Sequence, residues 1–142
     1  MALGIDVEYR RPITARDVVR FVRAYFSSVW TLRTRGLHEV VTAVEERKNR
    51  AVVNDVQLDP VAAGELVGVY RRLRPFVFSG HNRCLLQALV FVNFLAFYGL
   101  FPTWTIGVKL RPFEAHSWVQ QDAYLLDSTP EDVAPFTPIM AI

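Results

Sequence analysis

Residues 83–99 read RCLLQALVFVNFLAFYG, and the run over 85–101 is almost wholly apolar, interrupted by Gln87 and Asn93. Such a run is either a membrane span or a helix enclosed by the rest of its domain. It falls just short of the about 20 residues a span needs and carries two side-chain amides, so it reads as a buried core helix with Gly99 as its C′ residue. Beyond Pro102 the pattern changes. Residues 103–110 are rich in β-branched and aromatic side chains, Arg111-Pro112 breaks the run, and 116–120 alternate His, Ser, Trp, Val, Gln like a strand with one buried face. Gln121-Asp122 forms a tight turn into a third strand over 123–126. Asp127-Ser128-Thr129-Pro130 then closes the sheet and caps a short helix at 131–134.

Upstream of the quoted stretch the signals are helical. Thr14 with Asp17 three residues later imitates a capping box. From 15 to 34 Val18, Val19, Val22, Tyr25, Phe26, Val29 and Trp30 recur at helical spacing, which assigns them to the inner face and Arg16, Arg20 and Arg23 to the outer one. Gly36 interrupts, and a second helix over 37–48 buries Leu37, Val40, Val41 and Val44. Asp59-Pro60 opens a third helix that runs to Leu73 and stops before Pro75. Residues 76–82 read as a loop turning at Ser79-Gly80. The expected architecture is α+β: one domain over 1–142, helical over 14–99, with a small antiparallel sheet over 103–127.

Bulk properties narrow the function classes. At 142 residues the chain holds one real core, and 51% hydrophobic with 21% charged residues is a globular mixture. A net charge of +2 gives no ground for a nucleic-acid partner, although Arg71, Arg72, Arg74 and Arg83 form a local excess. A single cysteine excludes an internal disulfide. Residues 1–11 lack the apolar run of a secretory signal, so the expected location is the cytoplasm, with no membrane partner. One Cys and the scattered His38, His81 and His116 supply no metal-ligand pair, and no glycine-rich phosphate loop is present, so neither metal nor cofactor is expected.

The chemistry rests on Cys84, His116 and Asp127. Cys84 opens the buried helix, where first-turn amides and the helix dipole favour a thiolate. Its backbone N–H points toward any oxyanion formed on an attacked carbonyl, with Asn82 as a second candidate donor and Arg83 beside the cleft. His116 lies on one strand and Asp127 at the end of the next, so a hairpin brings base and carboxylate together. Strand phase favours Asp127 over its neighbours: Asp122 falls in the turn and Asp132 beyond the sheet. Trp118 is either core or a cleft wall. Each residue also has a plainer reading: Cys84 as a small buried hydrophobe, His116 as a structural hydrogen-bonder, Asp127 as a turn or cap.

Asn82-Arg83-Cys84-Leu85-Leu86-Gln87-Ala88-Leu89, Tyr98-Gly99-Leu100, Ile106-Gly107-Val108 and Pro112-Phe113-Glu114-Ala115-His116-Ser117-Trp118-Val119 together resemble the leader peptidases of lasso-peptide biosynthesis, the transglutaminase-like B proteins. Val133-Ala134-Pro135-Phe136-Thr137-Pro138-Ile139 resembles that family's usual ending. The likeness is strong from Cys84 to Ile139 and looser before it. It implies a papain-like cysteine peptidase core whose Cys-His-Asp roles fall on Cys84, His116 and Asp127. It also implies a ribosomally made precursor cut between leader and core, and a separate asparagine-synthetase-like cyclase acting next. Fused members carry a PqqD-like recognition domain ahead of the peptidase; nothing of that kind precedes Thr14, which suggests the split form with a separate recognition protein. Two positions depart from the family pattern: Ser117 where Ala is common, and Gln120 where Glu is common. Other readings are a different acyl-transfer enzyme on the same fold, a non-catalytic binding module with a buried cysteine, and a membrane-embedded accessory protein.

Overall fold

The computed structural model describes residues 3–4, 11–52, 60–77 and 83–142. Strand β1 is Leu3–Gly4, helix α1 is Ala15–Val52, helix α2 is Pro60–Leu73 and helix α3 is Cys84–Ala96, with a 3-10 turn over Arg74–Phe76. The sheet follows, with β2 Thr103–Leu110, β3 Phe113–Gln121 and β4 Tyr124–Leu125, then a one-turn helix α4 at Pro130–Val133 and a last strand β5 at Thr137–Ala141. Helices come first and the sheet second, which is the α+β architecture expected. The proposed loop turn at Ser79-Gly80, the Asp59 cap and Asn82 lie outside the described residues.

Local chemistry accounts for the element ends. The Thr14 amide donates to Asp17 Oδ2 at 2.8 Å and the Asp17 amide returns to Thr14 Oγ1 at 3.3 Å, a reciprocal cap. Gly36 takes φ 73°, and the two expected helices join there into one kinked α1. Gly99 at φ 77° ends the apolar helix as expected. At α4 the cap is Thr129 paired with Asp132, not Asp127. The turn between β3 and β4 carries Asp122 at φ 52°.

Three expectations need correction. The buried face of the first half of α1 is Asp17, Phe21, Ala24 and Ser28, whereas Val18, Val19, Val22, Phe26 and Trp30 are exposed. Asp17 can lie inside because Arg11 grips it with both Nη atoms at 2.6 and 2.9 Å and the Tyr98 hydroxyl donates to it. That pairing holds its carboxyl well below the usual carboxylate range. In the second half Val40, Val41 and Val44 are buried but Leu37 is exposed. Finally, the sheet has five strands in the order β1-β4-β3-β2-β5, with β1 parallel to β4 and the other pairs antiparallel. Sequence reading had only the three middle strands.

The core lies between α3 and one face of the sheet. Leu89, Val90, Phe91, Phe94 and Leu95 of α3 are buried, with Phe21 from α1, Tyr70 from α2, and Trp104, Ile106 and Val119 from the strands. The Tyr70 and Phe91 rings stack at 4.1 Å. Among the described residues no helix is long and apolar enough to cross a membrane. A smaller cluster of Trp118, Leu125 and Val133, flanked by Phe136, covers the opposite face.

Candidate active site

Strand β3 organises the site. It pairs with β2 from Phe113 to Gln120, Trp104 opposite Val119, Ile106 opposite Ser117 and Gly107 opposite His116. Opposed residues share a face, so Val119, Ser117 and Ala115 look toward α3, and Trp118 and His116 look toward α4. The contacts agree. Trp104 Nε1 donates to Ser117 Oγ at 2.6 Å on the first face. On the second, the His116 ring lies 5.8 Å from that of Trp118 and 5.2 Å from that of Phe136.

The other edge of β3 is paired only near its end. Strand β4 meets it at Gln120 and Gln121, and the Leu126 amide donates to the Val119 carbonyl at 2.9 Å. Val119 thus turns its backbone groups toward this edge, and by the alternation of an antiparallel ladder so do Ser117 and Ala115. No strand covers those two positions among the described residues. The amino terminus of α3 closes the gap from one end: Cys84 is half-buried, and its Sγ sits 4.0 Å from the Ala115 carbonyl oxygen. Asp127 closes it from the other end, accepting from the Val119 amide at 2.8 Å. The two points of contact are about 10 Å apart along the strand. Cys84 and Asp127 therefore meet the same edge of β3 at two separate points, while His116, between them in the strand, turns its ring to the α4 face.

Their electrostatics differ. His116 Nε2 is buried with no hydrogen-bond partner. Burial holds the imidazole pKa below its ordinary value, while the charge of Asp132 acts the other way. A neutral imidazole at neutral pH is the form able to accept a proton. Asp127 keeps some exposed surface as a residue, but its carboxylate is densely surrounded, and burial pushes its pKa up to about 6 against the Val119 and Ser128 hydrogen bonds and the nearby Arg74 charge. Tyr70, whose hydroxyl donates to the Gln87 carbonyl at 2.8 Å, belongs to the same neighbourhood.

Some expected contacts are not made. His116 is hydrogen-bonded neither to Cys84 nor to Asp127, whose Oδ1 is taken up by Val119 and Ser128. The carboxylate that acts on the imidazole through its charge is Asp132, held by the Thr129 amide and hydroxyl at 3.1 and 2.7 Å. Sequence reading set Asp132 aside as lying beyond the sheet. Its fixed position comes from the capping box at Thr129, a signal present in the sequence. Phe136 was likewise missed as a wall of the imidazole pocket. Trp118 is 3% exposed and belongs to the packing of that face.

The family model of the Transglutaminase-like superfamily matches residues 18–141. The chain belongs to that superfamily, which includes both cysteine peptidases and acyl transferases. No curated protein and no solved structure matches the chain.

Proposed function

We propose that the chain is a cysteine peptidase that removes the leader from a lasso-peptide precursor, with Cys84 as nucleophile, His116 as base and Asp127 as the carboxylate that orients it. The observation that carries this reading is the approach of Cys84 Sγ to the backbone immediately before His116, at the start of a buried helix. Family membership supports the acyl chemistry. The substrate follows from the likeness of the segments around Cys84 and His116 to leader peptidases. A separate PqqD-like recognition protein and an asparagine-synthetase-like cyclase complete the proposed pathway.

In the mechanism the Cys84 thiol gives its proton to His116 and the sulfur bonds to the scissile carbonyl carbon. The first-turn amides of α3 have no partner within the helix, the first intrahelical bond being Gln87 N–H to Arg83 carbonyl, and face the developing oxyanion. His116 returns the proton to the departing core amine as the C–N bond breaks. Water, deprotonated by His116, then attacks the thioester carbon, freeing the leader carboxylate and the thiol. For Asp127 to orient the imidazole it has to give up its Val119 hydrogen bond and approach the orphaned Nε2. The test is incubation of precursor and recognition protein with wild type or Cys84→Ala, read by mass. Wild type should yield leader and core separated by one added water. Product only with an added amine, joined to it, would assign the chain to acyl transfer instead.

A further inference from the structure

Helix α1 is apolar on two opposite sides. Its inner side feeds the core, yet Val19, Phe26 and Trp30 on the outer side are 57%, 64% and 62% exposed, with Val18 and Val22 beside them. A helix apolar all round is normally covered all round. The charges beside this band are of one sign. Over residues 15–38 the charged groups that reach solvent are Arg16, Arg23, Arg33 and Arg35, exposed, and Arg20, half-buried, and the one acid, Asp17, is buried. Arg16, Arg20 and Arg23 recur at i+4 and i+3 and so form one row. Two members are held in place, Arg20 at 4.4 Å over the Tyr98 ring and Arg23 at 5.2 Å over that of Phe97.

The row continues through Ser27, Thr31 and Arg35 into a cavity of ≈ 120 Å³ between the two halves of α1 and helix α3. Arg47 lines it, and its Nε and Nη2 are buried with no hydrogen-bond partner. Glu39 shares the lining but forms no ion pair with Arg47 among the described residues. Two buried guanidinium N–H groups without a hydrogen-bond partner are costly, and burial lowers the Arg47 pKa accordingly. The cavity has room for a side-chain carboxylate, a water claiming about 30 Å³.

We propose that the outer face of α1 and this pocket form one docking surface for an acidic amphipathic polypeptide segment. Its apolar side chains lie on Val19, Phe26 and Trp30, its carboxylates run along Arg16, Arg20 and Arg23, and one carboxylate enters the pocket to pair with Arg47. Charge complementarity selects this occupant. A second copy of the same face would set arginine rows against each other. A lipid surface offers no group that reaches a recess between α1 and α3. The proposal does not depend on Cys84 chemistry, so it is tested in the full chain carrying Cys84→Ala.

The probe is a labelled synthetic helical peptide with leucines on one face and glutamates along its side, followed by fluorescence anisotropy. Saturable binding is expected, weakened about tenfold by Phe26→Ser with Trp30→Ser, two surface changes that leave the core untouched. It is expected to weaken about fivefold in Arg47→Met, with thermal melting confirming that this variant is folded, and about fivefold when lysines replace the peptide's glutamates. No binding, equal binding of the lysine peptide, or indifference to both sets of substitutions overturns the proposal. So does stronger flotation with phosphatidylglycerol vesicles than binding of the peptide. So does a dimer in sedimentation that the Phe26→Ser, Trp30→Ser pair dissolves.

Discussion

The two faces of the β2–β3 hairpin are built to different ends. The α3 face is a thick apolar layer in which Trp104, Ile106 and Val119 meet Leu89, Phe91 and Phe94, and its polar member, Ser117, is satisfied by the Trp104 indole. The α4 face is thin, with Trp118, Leu125, Val133 and Phe136 supporting one imidazole. A face sealed by a helix cannot admit a substrate. A face covered by a single helical turn, next to a strand edge that no strand covers among the described residues, can. Under the proposed function the α3 face serves stability and the α4 face serves chemistry, with Cys84 reaching the strand at the edge between them.

Substitutions on each face sharpen that contrast. Trp104→Ala removes the largest fully buried side chain and leaves Ser117 Oγ without its donor, so a loss of about 3–5 kcal/mol is expected in urea denaturation. Activity in that variant should fall only through loss of folded protein. Gly107→Val acts on the other face. A Cβ at Gly107 would stand 2.8 Å from Trp118 and 3.1 Å from Phe136, so the ring that backs His116 must shift. Overpacking of this kind costs about 1–3 kcal/mol. The folded fraction of Gly107→Val should be much less active than wild type, which measurement of kcat on the purified folded protein checks. Equal specific activity would break the division between the faces.

Asp127→Asn gives the smallest change in stability, and it depends on pH. The wild-type carboxyl is raised to about 6 from its unfolded value near 3.8, so its stabilising contribution is complete below the unfolded value and is lost as pH rises through about 6. Asparagine keeps an acceptor for the Val119 amide and carries no charge. The melting temperature of Asp127→Asn relative to wild type should therefore rise between pH 5 and pH 8. His116 works in the opposite sense: its depressed pKa contributes stability above about 6.5 that is lost on acidification. Under the proposed mechanism activity climbs as pH rises toward neutrality because Asp127 and His116 must both be deprotonated, and in Asp127→Asn only the His116 part of that climb remains.

Much of this was legible in the sequence because local rules govern it. The apolar run behind Cys84, the stop at Gly99, the kink glycine at 36 and the strand alternation over 116–120 each depend on neighbours within a few residues. The phase of α1 was not. Its true inner face contains Asp17 and Ser28, whose burial is supported by distant partners, Arg11 and Tyr98 for the first and Asn93 for the second. A count of apolar positions necessarily chose the other face. Strand β5 escaped because Pro138 sits within it, tolerated on an edge beside the bulge between Ile106 and Gly107. At the site, residue types and chain order singled out Cys84 and His116, and the fold brings the Cys84 sulfur to the backbone beside His116. The competition of Val119 and Ser128 for the Asp127 carboxylate is a tertiary matter that no motif encodes.

The pairing of sulfur with imidazole is most directly tested by the rate at which iodoacetamide alkylates Cys84, the single thiol of the chain, at pH 7 in wild type and in His116→Ala. If His116 takes the thiol proton, the rate should fall about 10- to 100-fold without the imidazole, with the fold intact by circular dichroism. An unchanged rate in a folded His116→Ala protein would contradict the pairing and leave Cys84 as a packing residue.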